Sequence, residues 1–357
     1  MDHELRRTRL AARLQALEVD AVLSTHLPNV RYLSGYSGSN GQILVAAGGS
    51  RFFTDGRYTE QSRREVPDVD RVIYSTDANW IQQLTAACSN LGVKRLGFEA
   101  SYVTYRSHGE LAKAAETLVP LEDEVGKLRW AKDPEELALI ERAQELTDIG
   151  FAEILPKFRE GITERELALE LDWAMLHAGA EAVAFETIAA FGEQAAEPHH
   201  SPTDRPLRRG DVVKLDFGAV HEGYHSDMTR TVAFGEPSDE MRKVHGIVLD
   251  AQLAGIAAVH AGATGGEADM ASRSLIEAAG YGEAFSHSLG HGVGLEIHEG
   301  PGLRAKSDEV LPEGTVVTVE PGIYLAGIGG VRIEDMVIVT SSGCIPMPSS
   351  SKELIIL

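Results

Sequence analysis

Two histidines stand seven positions apart in "SLGHGVGLEIHEGPG", His291 and His298, on a backbone made bare by Gly290, Gly292 and Gly294. Imidazoles in such a setting suit metal ligation or proton transfer, and glycines leave room for a close backbone approach. Carboxylates elsewhere in the chain extend the pattern. In "KLDFGAVHEGYHSDMT" a hairpin turning at His221 and Glu222 would pair 217 with 226, 218 with 225 and 219 with 224, setting Asp216 directly opposite Asp227. Facing carboxylates about 5 Å apart repel by about 3 kcal/mol at an effective dielectric near 20, so a cation should accompany them. Asp216 also lies inside the apolar run "VVKLDFGAV", where a carboxylate is costly unless paired or metal-bound.

"VVTVEPGIY" ends a valine-rich run on Glu320, which Pro321 biases towards an extended conformation. In "VRIEDMVIV" a period of two puts Arg332, Glu334 and Met336 on one face, so Glu334 shares its face with a guanidinium. Two aspartates, two glutamates and one histidine offer four negative charges and a neutral nitrogen, which suits two divalent cations sharing bridging carboxylates. Ligands of this hardness favour Mn²⁺, Co²⁺ or Zn²⁺. Such a pair holds a hydroxide at neutral pH and stabilises attacking and departing oxygens, which makes hydrolysis the expected chemistry.

The ordered set "LDFGA", "SDMTR", "GHGVGLEIHE", "VEPGIY" and "VRIED" resembles the pita-bread metallopeptidases, in the aminopeptidase P and prolidase (Xaa-Pro dipeptidase) branch. "AEPHHSPTD" upstream belongs to the same likeness, and "NVRYLSGYSGSNG" with "FFTDGRY" looks like the creatinase-like N-terminal domain of that branch. The resemblance implies an α+β catalytic domain behind a smaller α/β domain, two divalent ions with Mn²⁺ first, and homodimers. It also implies Asp216, Asp227, His291, Glu320 and Glu334 as metal ligands, with Asp227 and Glu334 as bridges. His298 would hydrogen-bond substrate and tetrahedral intermediate, and His199 would be a further catalytic histidine, with His200 as the neighbour open to confusion with it. His287 falls where a histidine lines the pocket for the residue after the scissile bond. Glu320 would accept and relay the proton. Tyr324 and Arg332 either position substrate or support Glu320 and Glu334; Asp55, Arg57 and Tyr58 either cover the site's mouth or hold a turn.

The implied activity is cleavage of Xaa-Pro bonds at the N-terminus of short peptides, by an aminopeptidase P or a dipeptidase. The ring nitrogen of proline carries no hydrogen, so proteases that grip that N–H lose a handle and a dedicated pocket is needed. Methionine aminopeptidase shares the five ligands, but the extra N-terminal domain and "EPHH" favour the proline branch. A non-catalytic peptide-binding relative is the alternative from another class, opposed by the intact ligand set. A two-metal phosphoesterase is remote, because no phosphate-gripping glycine loop is present.

The elements that must carry these residues can be outlined from the same chain. Its 357 residues, 43% hydrophobic, call for two domains, with a boundary expected between 125 and 126. Residues 1–125 alternate strand candidates (21–24, 43–47, 51–55, 71–75, 96–100) with helices near 57–66, 79–90 and 104–116. Asp133, Pro134 and Glu136 then read as a helix start, as do Thr163 and Glu166. From 185 onward glycine-rich turns and β-branched runs dominate, and nine of the 13 histidines lie between 199 and 298. Lys plus Arg at 33 against Asp plus Glu at 54 gives a net charge of −21, which opposes nucleic acid and anionic membrane as partners. Cys88 and Cys344 have no metal-ligand spacing, no run reaches the length of a membrane span, and a cytoplasmic protein is expected.

Overall fold

Strand and helix signals in the first third of the chain assemble around one sheet. The computed structural model describes residues 1–357, the side chain of Ala78 aside, and divides into two compact units, Met1–Arg129 and Trp130–Leu357. In the first unit β1 (Ala21–Ser24), β2 (Gln42–Ala46), β3 (Gly49–Asp55), β4 (Asp70–Tyr74), β5 (Arg95–Glu99) and β6 (Thr117–Leu121) form a mixed sheet in the order β4-β3-β2-β1-β5-β6. Leu23, Leu44, Phe53, Leu84 and Leu96 are fully buried against it. The helix Asp77–Leu91 runs from the Thr76 cap to Gly92 at φ 69°, a left-handed stop that glycine adopts without strain. β6 has no counterpart in the sequence reading, because Pro120 argues against a strand. An edge position, with β5 as its neighbour, tolerates the missing N–H. Accordingly the helix expected over 104–116 closes early, as Tyr105–Leu111. Asp55 caps the turn Gly56–Tyr58 and receives Arg57 Nε and NH2 at 3.0 and 2.9 Å.

The unit boundary falls four residues beyond the expected one. The short helix Gly126–Arg129 stays with the first unit, since Tyr32 Oη donates to Leu128 O at 2.9 Å and Arg129 NH1 to Asn29 Oδ1 at 2.7 Å.

Both anticipated capping boxes form in the second unit. Asp133 and Glu136 start the helix Pro134–Ile154, and Thr163 and Glu166 start Glu164–His177. These helices bury Leu146, Phe151, Leu167, Leu171 and Met175 against Val213, Leu215 and Phe217. The sheet beneath them runs β12-β9-β8, from β8 (Ile188–Phe191), β9 (Asp211–Phe217) and β12 (Met228–Phe234); β7 (Ala182–Val183), β10 (Ala219–His221) and β11 (Tyr224–His225) make a small companion sheet. Two later helices, Asp239–Ala258 and Gly265–Ala278, bury Val244, Val248, Ala251, Ala268 and Ile276 against Val317, Val319 and Val337. Their sheet has the order β14-β13-β15-β18-β19, with β13 (Gly290–Gly292), β14 (Glu299–Leu303), β15 (Val316–Val319), β18 (Asp335–Thr340) and β19 (Gly343–Pro346). β16 (Gly322–Leu325) pairs with β17 (Gly329–Arg332). Each pair of helices thus backs a set of strands whose other side is free to carry chemistry.

His245, on the helix Asp239–Ala258, is buried, and its Nε2 has no hydrogen-bond partner. Burial lowers its pKa from 6.5 to about 4. The unfolded chain therefore binds the extra proton between those values, and stability falls as pH drops through that window. By pH 5 the loss should reach about 2 kcal/mol. Urea midpoints at pH 7 and pH 5, compared for wild type and His245→Leu, should show the acid sensitivity shrinking in the variant.

Candidate metal centre

The hairpin that carries the two aspartates turns at Glu222 and Gly223, not at His221 and Glu222. Both residues have positive φ, 44° and 74°, as a two-residue type I′ turn requires. The register follows: His221 pairs with Tyr224, Val220 with His225, and Asp216 opposes Thr229 in place of Asp227. A slip of two residues preserves the face, so Asp216 and Asp227 still point into one cavity. Between β11 and β12 the chain crosses tightly over Gly218, where a Cβ would meet Ser226 O at 1.9 Å. Ser226 Oγ, 2.7 Å from Thr147 Oγ1 and donating to Ala143 O at 3.1 Å, ties this crossing to the helix Pro134–Ile154.

The cavity measures about 480 Å³ and is lined by Asp216, Asp227, His291, Glu320, Glu334, Arg332, His199, His287 and His298, all singled out from the sequence. Donor atoms of Asp227, His291 and Glu334 lie within 4.8 Å of one another. His291 Nε2 is 3.6 Å from Asp227 Oδ2 and 3.3 Å from Glu320 Oε1, while Nδ1 faces Gly292 O at 3.1 Å. That carbonyl can accept from Nδ1 and leaves Nε2 facing the carboxylates. Thr318 Oγ1 accepts from His291 N at 3.0 Å and donates to Glu320 Oε1 at 3.0 Å, so one hydroxyl orients both. Thr229 Oγ1 donates to Glu334 Oε2 at 2.7 Å.

Four carboxylates in so dry a place cannot all stay charged on their own. Burial, then Glu334, Asp216 and Glu320, push Asp227 well above the usual carboxylate range; burial, then Glu320 and Asp216, do the same to Glu334. Glu320 goes the other way. Burial would raise it, yet the hydrogen bond and charge of His291 bring it down to about 2. His291 is raised in return, Glu320 outweighing burial. Asp216 gives one oxygen to Arg332 NH2, and its other oxygen, Oδ1, is buried with no partner. An orphaned carboxylate oxygen beside two carboxylates that burial drives towards protonation is the electrostatic signature of a place for cations. The donor set fits hard or borderline divalent ions.

The glycines around His291 serve a different purpose from the one expected. A Cβ on Gly290 would meet Thr318 O at 2.0 Å, and one on Gly292 would meet Gly300 O at 2.3 Å. They admit the neighbouring strands β15 and β14, and so bring His291 within reach of Glu320. Gly290→Ala should force β13 off β15 and destabilise the unit by about 3 kcal/mol or more, checked by denaturant unfolding.

Arg332 and Tyr324 form a chain behind the carboxylates. His287 Nε2 lies 2.8 Å from Tyr324 Oη, which accepts from Arg332 NH1 at 3.1 Å; Arg332 Nε donates to Thr229 Oγ1 at 2.9 Å. The guanidinium thus meets Asp216 directly and Glu334 through a shared threonine. Tyr324 stands behind His287, outside the set of lining residues. His298 sits 4.4 Å, ring to ring, from His291, and burial, then the His291 charge, lower its pKa. Burial lowers that of His287 too.

His199 and His200 are separated clearly. Both line the cavity, but His199 is exposed, whereas His200 is buried, with Nε2 2.8 Å from Glu164 Oε2 and Nδ1 2.7 Å from Glu197 Oε2. Glu164 also accepts from Phe191 N at 2.8 Å and Thr203 N at 2.9 Å, so it anchors the loop that presents His199. Lys214 completes the anchor. It is fully buried and donates to Glu197 O and Pro198 O, and burial, then the Arg332 charge, lower it to about 6. On the other side Asp269 accepts from Leu289 N and holds Arg273, which donates to His287 O at 2.7 Å. Glu164 and Asp269 escaped the sequence reading; Lys214 could have been found, being two residues before Asp216 on the same face of a strand.

Known proteins similar to this chain belong to one family. Residues 138–341 match the metallopeptidase family M24, and residues 6–130 match the creatinase/prolidase N-terminal domain. An Xaa-Pro dipeptidase of Pyrococcus horikoshii is 37% identical over 339 residues, 94% of this chain and 95% of that one. Among solved structures, an Xaa-Pro dipeptidase from Bacillus anthracis covers all of both chains at 41% identity and a TM-score of 0.97. An X-Pro aminopeptidase from Thermotoga maritima reaches 38% identity and a TM-score of 0.90 over 99% of this chain and 100% of that one.

Proposed function

The chain belongs to metallopeptidase family M24, and from that premise we propose that it is an exopeptidase cleaving the Xaa-Pro bond at the N-terminus of short peptides. Its α+β pita-bread catalytic unit follows a creatinase-like N-terminal unit, the arrangement of the prolidases it resembles. The observation that carries the reading is the convergence of Asp216, Asp227, His291, Glu320 and Glu334, from separate strands and strand ends, on one cavity. These five would hold two divalent ions, with Mn²⁺ as the first choice over Co²⁺ or Zn²⁺. When bound, such ions supply Lewis acidity, lowering the pKa of water and polarising a peptide carbonyl.

The side chains divide the remaining work. Glu320, an anion at neutral pH, accepts a proton from the attacking water and passes it towards the departing proline nitrogen. His298, kept neutral by its surroundings, donates to the carbonyl oxygen as charge develops there, and His199, which lines the same cavity, orients the leaving side. His287 lines the proline side, held by Tyr324. Arg332 fixes Asp216 and, with Tyr324, the back of the substrate pocket. The reading extends to a cytoplasmic homodimer. Cys88 and Cys344 are both free, as a reducing compartment favours, and among the described residues no helix is long and apolar enough to cross a membrane. The dimer rests on the family.

Hydrolysis of Ala-Pro and Ala-Pro-Ala, with Mn²⁺ and with chelator, tests the proposal and separates dipeptidase from aminopeptidase. Cleavage of Met-Ala with Ala-Pro and Gly-Pro-Pro left intact would overturn it in favour of methionine aminopeptidase. A purified protein that takes up no divalent ion would leave only a peptide-binding role.

A further inference from the structure

We propose that Lys352 is a positioning residue for the metal site, acting through Asp335 and Arg230 on the peptide that carries Glu334. The inference rests on the reading of Glu334 as a metal ligand. Asp335 opens β18 directly after Glu334 and, unlike Glu334, is not among the residues lining the cavity. Its carboxylate is buried, with Oδ1 accepting from Arg230 NH2 at 2.8 Å and Oδ2 from Lys352 Nζ at 2.7 Å and Gln252 Nε2 at 3.2 Å.

Arg230 links this cluster to the ligand. Its NH1 donates to Glu334 O at 2.5 Å and to Thr229 O at 3.0 Å, and its NH2 also reaches Ser350 O at 3.0 Å. Thr229 O in turn accepts from Glu334 N at 3.2 Å. The main chain of Glu334 is therefore gripped by residues 229–230, and the Asp335 carboxylate beside it by Arg230 and Lys352 together. The segment bearing Lys352 is itself fixed, because Asp148 accepts from Ser349 N and Ser350 N at 2.9 Å each.

None of Lys352, Asp335 and Arg230 is among the residues lining the cavity. Their effect on chemistry must pass through Glu334. Two cations and one anion leave the cluster one positive charge in excess, behind the cavity that the four carboxylates line. Without Lys352 the buried Asp335 would keep Arg230 as its sole cationic partner and draw it away from Glu334 O. The Glu334 carboxylate would then lose the fixed geometry that a metal ligand needs.

The test uses full-length, metal-stripped protein titrated with Mn²⁺ by calorimetry. Lys352→Met should bind about ten-fold more weakly than wild type, and Lys352→Arg should recover most of that loss. At saturating Mn²⁺ the KM for Ala-Pro-Ala should be unchanged in both. Urea midpoints of the metal-free proteins show that the variants are folded; if Lys352→Met is not, Lys352→Gln takes its place. Wild-type Mn²⁺ affinity in a folded Lys352 variant overturns the proposal. Wild-type protein that binds no Mn²⁺, Co²⁺ or Zn²⁺ overturns the metallopeptidase reading, and this one with it.

Discussion

Asp227→Asn is expected to lower kcat/KM for Ala-Pro-Ala by at least about 1000-fold, with the same result for Glu334→Gln. Each change removes a charge from a carboxylate proposed as a metal ligand, and several kcal/mol of transition-state stabilisation corresponds to that factor. Both carboxylates are buried and pushed up in pKa, so their neutral replacements suit the metal-free fold. Metal-free stability should hold or rise while activity and ion stoichiometry fall. Metal analysis beside a thermal melt checks the pair of outcomes. Lost activity with two ions still bound per chain would remove Asp227 and Glu334 from the ligand set.

Arg332→Leu should produce the opposite split, a large loss of stability. Its guanidinium is buried and serves Asp216, Thr229, Tyr324 and Pro198 O together. Taking one partner from a buried pair leaves the other charged and unsatisfied, at a cost of about 3–5 kcal/mol. Arg332→Lys should recover only part, since an ammonium cannot reproduce a planar fork spread over four acceptors. Urea unfolding without added ions reads both effects. A loss under about 1 kcal/mol would show that Asp216 finds another partner or takes a proton.

Local signals explain which parts of the structure were legible in the sequence. Capping boxes at Asp133 and Thr163 operate over three residues, and both helices begin where their caps stand. The β1 reading coincides with the strand, because a short apolar run bounded by turn signals carries its own evidence. The Asp216–Asp227 hairpin shows the limit. Glu222 in a left-handed conformation is an unusual choice for a tight turn, so the turn was placed one residue early and the register two residues off. The shared face survived because two is the period of a strand. Contacts with no local signature were not legible at all. Glu164 looks like any first-turn glutamate, and its bonds to residues 191, 200 and 203 arise only in the folded unit. The resemblance to the peptidases supplied what spacing could not, the roles expected of His199 and His298.

The proposed ligands come from two separately backed layers. Asp216 and Asp227 lie in or beside strands covered by the helices of residues 134–177, whereas His291 and Glu320 lie in or beside strands covered by those of residues 239–278. Ions seated among them would act as a cross-link between layers whose ligands are 64 to 104 positions apart in the chain. Partly unfolded forms with one layer melted would have no complete cradle to offer. Scarcity of metal should then loosen the seam between the layers first, and protease nicking there would report it before any overall melting.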